Sequence, residues 1–213
     1  MIENGSVQIL SPSLENLERF SLCARFKTFR FLDFNKENYV SHQMVLALGD
    51  KNPFLFYSKV QEKKQGGRKH IEGCIAFEGK ERCFCIWRPN IWNKFCLMLD
   101  KQNKELLLSI NHRQSYLNIS YNNQPDVNGN ILMMNGQNVW TLWPMYGAVT
   151  DFHVWDRLID EVHEFPLSKT NHSPGNIISW TTAEIETNLL LEDSEVLFLE
   201  NPQFEVFRKV TRL

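Results

Sequence analysis

The five cysteines could form disulfides, bind a metal or remain free thiols, and their positions on the predicted strands indicate which of these applies. On one predicted strand Cys23 lies out of phase with Phe20 and Leu22, and on another Cys96 lies out of phase with its apolar neighbours. Because these phases match, the two cysteines can face each other across adjacent strands, where a disulfide is geometrically allowed. We expect this disulfide. Two unpaired cysteines that pack as small apolar side chains are the alternative.

The other three cysteines, Cys74, Cys83 and Cys85, lie on one predicted hairpin. A hairpin that pairs residue 77 with residue 82 places Cys74 opposite Cys85, and a shifted register places it opposite Cys83. A zinc site needs four ligands, typically with Cys-x-x-Cys spacing, whereas this Cys-x-Cys has one further cysteine and no nearby histidine pair. We therefore expect a cross-strand disulfide or buried thiols here. An odd number of cysteines leaves at least one unpaired within the chain.

The histidines and acidic residues show no catalytic arrangement. The six histidines stand outside any recognisable motif, so we interpret them as surface or structural residues. A jelly-roll glycosidase would carry carboxylates at alternate positions of one cleft-facing strand. The nearest acidic stretch, residues 191–195, has the spacing of a turn instead. We expect no enzyme activity and no cofactor.

Two polar turns are the candidate ligand-binding positions. Asp50 and Asn52 lie in one turn, and Gln137 and Asn138 lie in another. Calcium would require several carboxylate and carbonyl oxygens converging from loops, and these residue types also form ordinary turns. No second acidic loop is present to complete a coordination shell, so we do not favour calcium at these positions.

Two of the six tryptophans are candidates for ligand contact. Most of the tryptophans are expected to pack in the core or at its edges. Trp140 and Trp143 instead flank a short loop, where an exposed aromatic pair could stack on a sugar or on a partner protein.

Composition indicates one globular domain, residues 1–213. The chain is 43% hydrophobic and 12% aromatic, which supplies a sizeable core without obligatory disulfides. A net charge of −2 gives no broad attraction to nucleic acid or to an anionic membrane, and the basic stretch at residues 61–69 fits a solvated hairpin tip. No apolar run is long enough for a membrane span, and the N-terminus lacks the pattern of a signal peptide.

Glycosylation sequons bear on the cellular compartment. Asn4 and Asn118 fit the acceptor pattern, and Asn171 fits it with a proline shortly after. Since sequons also arise by chance, they favour secretion only weakly.

Hydrophobic alternation predicts many short strands separated by turns. The most regular stretch is residues 143–156, where apolar residues occupy both phases, so we expect a strand covered on both faces in a two-sheet sandwich. A short helix is predicted at residues 161–165, with Asp160 as its N-cap and Pro166 as its stop. The other predicted strands are residues 20–29, 43–48, 54–60, 71–77, 83–87, 93–99, 106–111, 116–121, 131–134, 177–180, 184–188, 195–200 and 204–210.

The order of these features resembles the pentraxins and the related laminin-G-like jelly rolls. Residues 20–26 are similar to that family's first cysteine strand, residues 92–96 to its Trp-x-x-x-Cys strand, and Gly136-Gln137 to its Leu-Gly-Gln turn. The most specific matches are the Gly…Trp-Asp strand at residues 147–156 and the Asn-Ile-Ile-Ser-Trp run at residues 176–180. The resemblance covers roughly residues 18–205. It implies an all-β jelly-roll sandwich of two antiparallel sheets with one short helix, and it supports the Cys23–Cys96 pair.

One family feature does not carry over. In calcium-binding pentraxins a Glu-Gln-Asp-type run and a long loop follow Gly-Gln, whereas Asn138-Val139-Trp140 takes that place in this chain and Gly147 arrives only ten residues after Gln137. Asp50 keeps a position similar to the family's first-loop aspartate. The resemblance therefore implies recognition without an intact calcium site.

By analogy with these families we expect a non-catalytic recognition or adhesion module for a protein or glycan ligand. It would be secreted or form the extracellular portion of a membrane protein, and it could assemble into oligomers. An intracellular or structural assembly protein with the same sandwich is the second interpretation, and a glycan-cleaving enzyme is a distant third.

Overall fold

The computed structural model describes residues 7–9, 14, 17–30, 42–48, 54–62, 69–77, 80–86, 91–118, 131–133, 143–144, 146–166, 173–182 and 185–187. Its fourteen strands are β1 (Val7–Ile9), β2 (Arg19–Arg30), β3 (His42–Leu48), β4 (Phe54–Glu62), β5 (Lys69–Phe77), β6 (Lys80–Ile86), β7 (Asn93–Asp100), β8 (Glu105–Ile110), β9 (Arg113–Asn118), β10 (Ile131–Met133), β11 (Trp143–Pro144), β12 (Tyr146–Trp155), β13 (Ile178–Ser179) and β14 (Ile185–Thr187). Within these ranges no helix is long and apolar enough to cross a membrane.

The strands form two sheets that stack as a jelly-roll sandwich, which confirms the predicted fold class. The eight-stranded sheet has the order β14-β1-β10-β3-β4-β5-β6, with β11 paired to β3 beside this path. The six-stranded sheet has the order β13-β12-β2-β7-β8-β9. Neighbouring strands are antiparallel except for the two-residue β11, which pairs in parallel with the start of β3. The predicted strands at residues 195–200 and 204–210 lie outside the described residues. Strand β1 was not predicted, and the stretch at residues 143–156 contains two strands, β11 and β12, instead of one.

The core lies between the two sheets and is built mainly from leucine and phenylalanine. Phe56 of the eight-stranded sheet stacks on Phe95 of the six-stranded sheet, with ring centroids 4.6 Å apart, and Phe26 meets Phe95 edge-on. Each fully buried side chain of this kind contributes about 1.5–3 kcal/mol, as an upper estimate. The apolar residues whose alternation predicted the strands are therefore the residues that pack between the sheets.

A β-bulge in β12 explains why both phases of residues 149–155 are apolar. Val149 pairs with Phe26 and His153 pairs with Cys23, so β12 carries one extra residue between these points, and Asp151 has a φ of 52°. The bulge shifts the phase: Val149 packs on the core before it, and Phe152 packs there after it.

Both faces of β12 are covered, as predicted, but the outer face is covered by a loop segment and not by a sheet. Val154 faces the opposite sheet, whereas Trp155 lies on the outer side against Ile159 and Phe165. We name residues 157–166 the covering segment, because they lie over the outer face of the six-stranded sheet.

The prediction of a short helix at residues 161–165 is wrong. Residues 161–164 form a single turn, and no helix occurs in the part of the chain that the structure describes. Asp160 does act as a cap, since its Oδ1 accepts a hydrogen bond from the backbone N–H of Val162 at 3.1 Å. One turn has too few backbone hydrogen bonds to be stable alone, so side-chain contacts with the sheet must hold this segment in place.

The turn after β8 also differs from the prediction. Asn111 and His112 have φ angles of 49° and 65°, the left-handed pair of a two-residue hairpin turn that matches the twist of the strands. Consequently β8 ends at Ile110 and β9 begins at Arg113, earlier than the predicted start at residue 116.

Candidate functional site

Cys23 and Cys96 are joined by a disulfide in the middle of the six-stranded sheet, which is the pairing that the strand phases favoured. The two residues are directly opposite each other on β2 and β7, and both are fully buried. Trp155, Ile159 and Phe165 pack over the disulfide from the outer side. The covering segment thus separates this disulfide from solvent.

A buried ion pair attaches the covering segment to the sheet. Lys94 Nζ lies 2.6 Å from Glu161 Oε2, and the two side chains are 0% and 3% exposed. Lys94 Nζ also donates a hydrogen bond to the main-chain carbonyl of Glu161. Ser109 Oγ donates to Glu161 Oε1 at 2.5 Å, and Gln114 Nε2 lies 3.4 Å from the same oxygen. Several partners therefore compensate the carboxylate for its loss of water.

A second charged group supports the same segment. Arg25 forms an ion pair with Asp151 at the bulge and donates to the main-chain carbonyl of Pro166 at 2.8 Å. The Arg25 guanidinium lies 4.5 Å from the centre of the Phe165 ring, and the Lys94 ammonium lies 5.8 Å from it. Both cations are within the range of a cation–π interaction.

The ion pair keeps Glu161 charged. Burial raises the pKa of Glu161, but the hydrogen bonds from Lys94 and Ser109 and the charge of Lys94 outweigh burial, so its pKa lies below the ordinary value. Burial lowers the pKa of Lys94 against the attraction of Glu161. Burial, followed by the positive charge of Lys94, lowers the pKa of His112. Because Ser109 is buried and donates to a carboxylate, this layer is suited to holding the segment and not to attacking a substrate.

The second disulfide joins Cys74 and Cys83 on the hairpin β5–β6, at the edge of the eight-stranded sheet. Phe77 pairs with Lys80, so the register opposes Cys74 to Cys83 and not to Cys85. Of the two registers considered from the sequence, the one that pairs residue 77 with residue 82 is therefore wrong, and the shifted one is confirmed. With their sulfurs joined in a disulfide, Cys74 and Cys83 offer no thiolate to a metal in this oxidised state.

Charged and polar groups surround this second disulfide. Tyr57 OH donates to Glu81 Oε1 at 2.5 Å, and Lys59 Nζ donates to the same oxygen at 2.9 Å. Burial, followed by the bond to Glu81, raises the pKa of Tyr57. The outer face of the edge hairpin thus combines a disulfide with two carboxylates, Glu72 and Glu81, and Lys59 of the neighbouring strand β4 contacts Glu81.

Three large hydrophobic side chains are exposed among the described residues: Tyr116 at 50%, Leu158 at 40% and Val162 at 47%. The hydroxyl of Tyr116 lies 3.4 Å from Gln114 Oε1, and Gln114 in turn contacts Glu161. These contacts place Tyr116 on the same outer face as the covering segment.

Most of the predicted ligand-binding residues fall in parts of the chain that the structure does not describe. They are Asp50, Asn52, Gln137, Asn138 and Trp140, and the sequon residue Asn4 is also outside the described residues. The sequon residue Asn118 ends strand β9.

The backbone of Trp143 is described, in β11. Trp143 pairs with Gln43, near the start of β3, and β3 ends at Leu48. Leu48 lies five positions after Gln43 along the strand, a distance of roughly 16 Å. The backbone register thus places Trp143 beside the start of β3, whereas Asp50 lies outside the described residues.

Sequence reasoning missed the partnership between Lys94 and Glu161. One signal was present. The outer phases of two neighbouring strands, β2 and β7, carry polar or sulfur-containing residues, and the apolar residues Ile159 and Phe165 follow β12 outside any strand. Apolar residues in a loop beside a half-polar sheet face indicate a cover for that face.

Comparison with known proteins identifies the fold. No protein-family model matches the sequence, and no significant match to a curated protein is found. The native heptameric SAP-like pentraxin from Limulus polyphemus superposes with a TM-score of 0.60 over 88% of this chain and 88% of that chain, at 13% identity. A putative carbohydrate binding protein from Bacteroides ovatus gives a TM-score of 0.52 over 87% of this chain and 56% of that chain, at 14% identity. At such identities the likeness concerns the fold alone: the chain has a divergent jelly-roll fold of the pentraxin and laminin-G-like type.

Proposed function

We propose that this chain, whose fold is that of the pentraxin and laminin-G-like jelly rolls, is a non-catalytic extracellular recognition module for a protein or glycan ligand. The observation that carries the proposal is the superposition on a pentraxin over nearly the full length of both chains. The second similar structure is named as a putative carbohydrate binding protein, which supports a glycan as one class of ligand. Because a fold hosts many functions, this step is an analogy that experiment has to test.

The two disulfides support an extracellular location. Structural disulfides persist in oxidising compartments and are rare in the cytosol. In this chain each sheet contains one disulfide between two of its own strands. The sequon at Asn118, at the end of a strand, is consistent with this location. We propose a single domain over residues 1–213, either secreted or part of the exterior of a membrane protein, with oligomeric assembly allowed.

The ligand contacts are proposed for the two connections beside β3. The connection between β3 and β4 contains Asp50 and Asn52, and that between β10 and β11 contains Gln137, Asn138 and Trp140. Amide and aromatic side chains in loops suit polar contacts and stacking without a metal. We therefore propose recognition that does not need calcium.

A binding screen tests this proposal. The full chain is applied to a glycan array and to a library of displayed cell-surface proteins, with calcium and with a chelator. We expect a ligand whose binding is unchanged by chelation and falls at least about tenfold in Trp140→Ala. Tyr116→Ala is the matched control, since it removes an exposed aromatic side chain from the outer face of the other sheet.

Three results would contradict the proposal. Loss of binding on chelation would show an intact calcium site. Cleavage of a bound glycan would identify an enzyme. Full binding by Trp140→Ala together with loss in Tyr116→Ala would move the ligand to the six-stranded sheet.

A further inference from the structure

The outer face of the edge hairpin brings together three side chains with metal-ligating atoms. The ligating atoms of Glu72, Cys74 and Cys83 all lie within 4.8 Å of one another. A carboxylate oxygen of Glu81 lies 3.6 Å from the Cys83 sulfur and adds a fourth oxygen or sulfur donor to the cluster. The Cα atoms of Cys74 and Cys83 are 4.0 Å apart, so both sulfurs can reach one ion without movement of the strands.

We propose that reduction of the Cys74–Cys83 disulfide converts this face into a zinc site, in which both thiolates and the Glu72 carboxylate bind the ion and Glu81 is placed to complete a tetrahedron. Thiolates and carboxylates are both ligands of Zn²⁺, and four-coordinate tetrahedral geometry is its usual arrangement in structural sites. The thiolates favour zinc over magnesium or calcium, which take oxygen ligands.

The charge of the cluster explains why a dication would bind there after reduction. Two thiolates beside Glu72 and Glu81 place up to four negative charges on one face of two strands. Lys59 pairs with Glu81 and offsets one of them. Without a metal, the carboxylates oppose thiolate formation, because like charges disfavour ionisation. A divalent cation removes that repulsion.

The steps balance in electrons and protons. A dithiol reductant transfers two electrons and two protons to the disulfide, so that the S–S bond breaks, two thiols form and the reductant becomes a cyclic disulfide. Zn²⁺ then displaces the two thiol protons as the zinc–sulfur bonds form. A cyclic disulfide, such as the one formed from the reductant, reverses both steps: it takes two electrons from the thiolates and two protons from water, the Cys74–Cys83 bond forms again, and the ion is released.

Burial gives the site one dry side and one open side. Cys74 is fully buried with Leu55 and Tyr57, whereas Cys83 and Glu72 are half-buried. Tyr57 and Lys59 of β4 both donate to Glu81 and fix the position of its carboxylate. A reductant and an ion can thus reach the cluster from the side of β6. The inference does not depend on the proposed recognition function.

The test compares oxidised and reduced full-length protein. The protein is reduced with dithiothreitol, desalted under argon and titrated with Co²⁺ as a spectroscopic probe. We expect a thiolate-to-cobalt charge-transfer band that saturates at one ion per chain and disappears when Zn²⁺ is added, and no band in the oxidised protein. Since loss of even an outer-shell partner weakens a metal site by about 10–100-fold, Glu72→Gln should weaken cobalt binding at least about tenfold.

Two controls separate this site from other thiols. Glu105→Gln removes an exposed carboxylate at the start of β8 and should bind cobalt as the wild type does. Cys85→Ser should also keep the band, because the register opposes Cys85 to Gly73 and not to Cys74. The proposal is overturned if the reduced wild type shows no band, if Glu72→Gln binds as tightly as Glu105→Gln, or if the band survives in Cys74→Ser/Cys83→Ser.

Discussion

The two disulfides connect directly opposed residues on neighbouring strands, yet their surroundings differ. Cys23–Cys96 joins β2 to β7 inside the six-stranded sheet and lies under Trp155, Ile159 and Phe165. Cys74–Cys83 joins the two strands of an edge hairpin, and its Cys83 side is half-buried beside two carboxylates. The covering segment separates the first bond from solvent, whereas solvent can reach the second bond from the side of Cys83.

The difference suggests separate roles for two bonds of similar local geometry. Cys23–Cys96 closes 73 residues of chain and is fully buried beneath the covering segment, which suits a permanent crosslink. Cys74–Cys83 closes only 9 residues, which the hairpin already holds together. Its position suits a bond that forms and breaks with the redox state of the surroundings.

The largest expected effect is the loss in the free energy of unfolding when each disulfide is removed. The loop-entropy relation predicts a loss of about 4 kcal/mol of stability for Cys23→Ala/Cys96→Ala and about 2.5 kcal/mol for Cys74→Ala/Cys83→Ala. Denaturant unfolding under non-reducing conditions gives both values. Equal losses, or a larger loss in the hairpin variant, would show that the two crosslinks do not differ in the way proposed.

The covering segment is tested next, through its buried ion pair. Lys94→Met leaves the Glu161 carboxylate buried without its cation, and we expect a loss of about 3 kcal/mol in the free energy of unfolding. Lys94→Met/Glu161→Leu removes both charges and should recover most of that loss. If the double variant is no more stable than the single one, the ion pair does not account for the cost.

The pH dependence of stability follows from two lowered pKa values in this layer. Below the ordinary histidine pKa of 6.5 the unfolded chain binds a proton at His112 that the folded chain resists, so stability falls as pH falls. Glu161 adds to this loss below 4.5, where its unfolded carboxyl takes up a proton while the folded one stays charged.

Thermal melts across this range test both contributions. His112→Asn keeps a residue that tolerates the left-handed turn and should flatten the change in Tm between about pH 7 and about pH 5. The decline below 4.5 should remain in this variant, because Glu161 is unchanged. A wild-type Tm that rises on acidification would contradict the lowered pKa values of both groups.

The smallest effect is expected at the exposed end of the covering segment. Arg157 and Glu164 form an ion pair there, with side chains 51% and 25% exposed. Water and salt screen such pairs, so Arg157→Gln should leave the denaturation midpoint nearly unchanged. A shift comparable to that of Lys94→Met would show that the surface pair, and not the buried one, holds the segment.

Sequence patterns predicted most of the sheets because alternation follows directly from the two-residue period of a strand. The strands β2 to β9 and β12 begin and end within a few residues of their predicted limits, and the phases of Cys23 and Cys96 indicated their pairing. The bulge at Asp151 could not be predicted in this way, because it depends on how β12 pairs with β2.

The covering segment could be predicted only in part, for a similar reason. Asp160 and Pro166 are ordinary signals for the ends of a helix, but the structure contains a turn. Contacts of Glu161 with Lys94 and Ser109, far away in the sequence, decide its conformation. The proposed ligand-binding residues depend on long connections whose positions alternation does not indicate.

Stepwise reduction tests the contrast between the two disulfides most directly. The native protein is exposed to limiting dithiothreitol, free thiols are trapped with iodoacetamide, and peptide mass mapping shows which bond opened first. We expect Cys74–Cys83 to open first and Cys23–Cys96 to resist until the sandwich unfolds. Reduction of Cys23–Cys96 first, or of both bonds together in folded protein, would contradict the sealed outer layer.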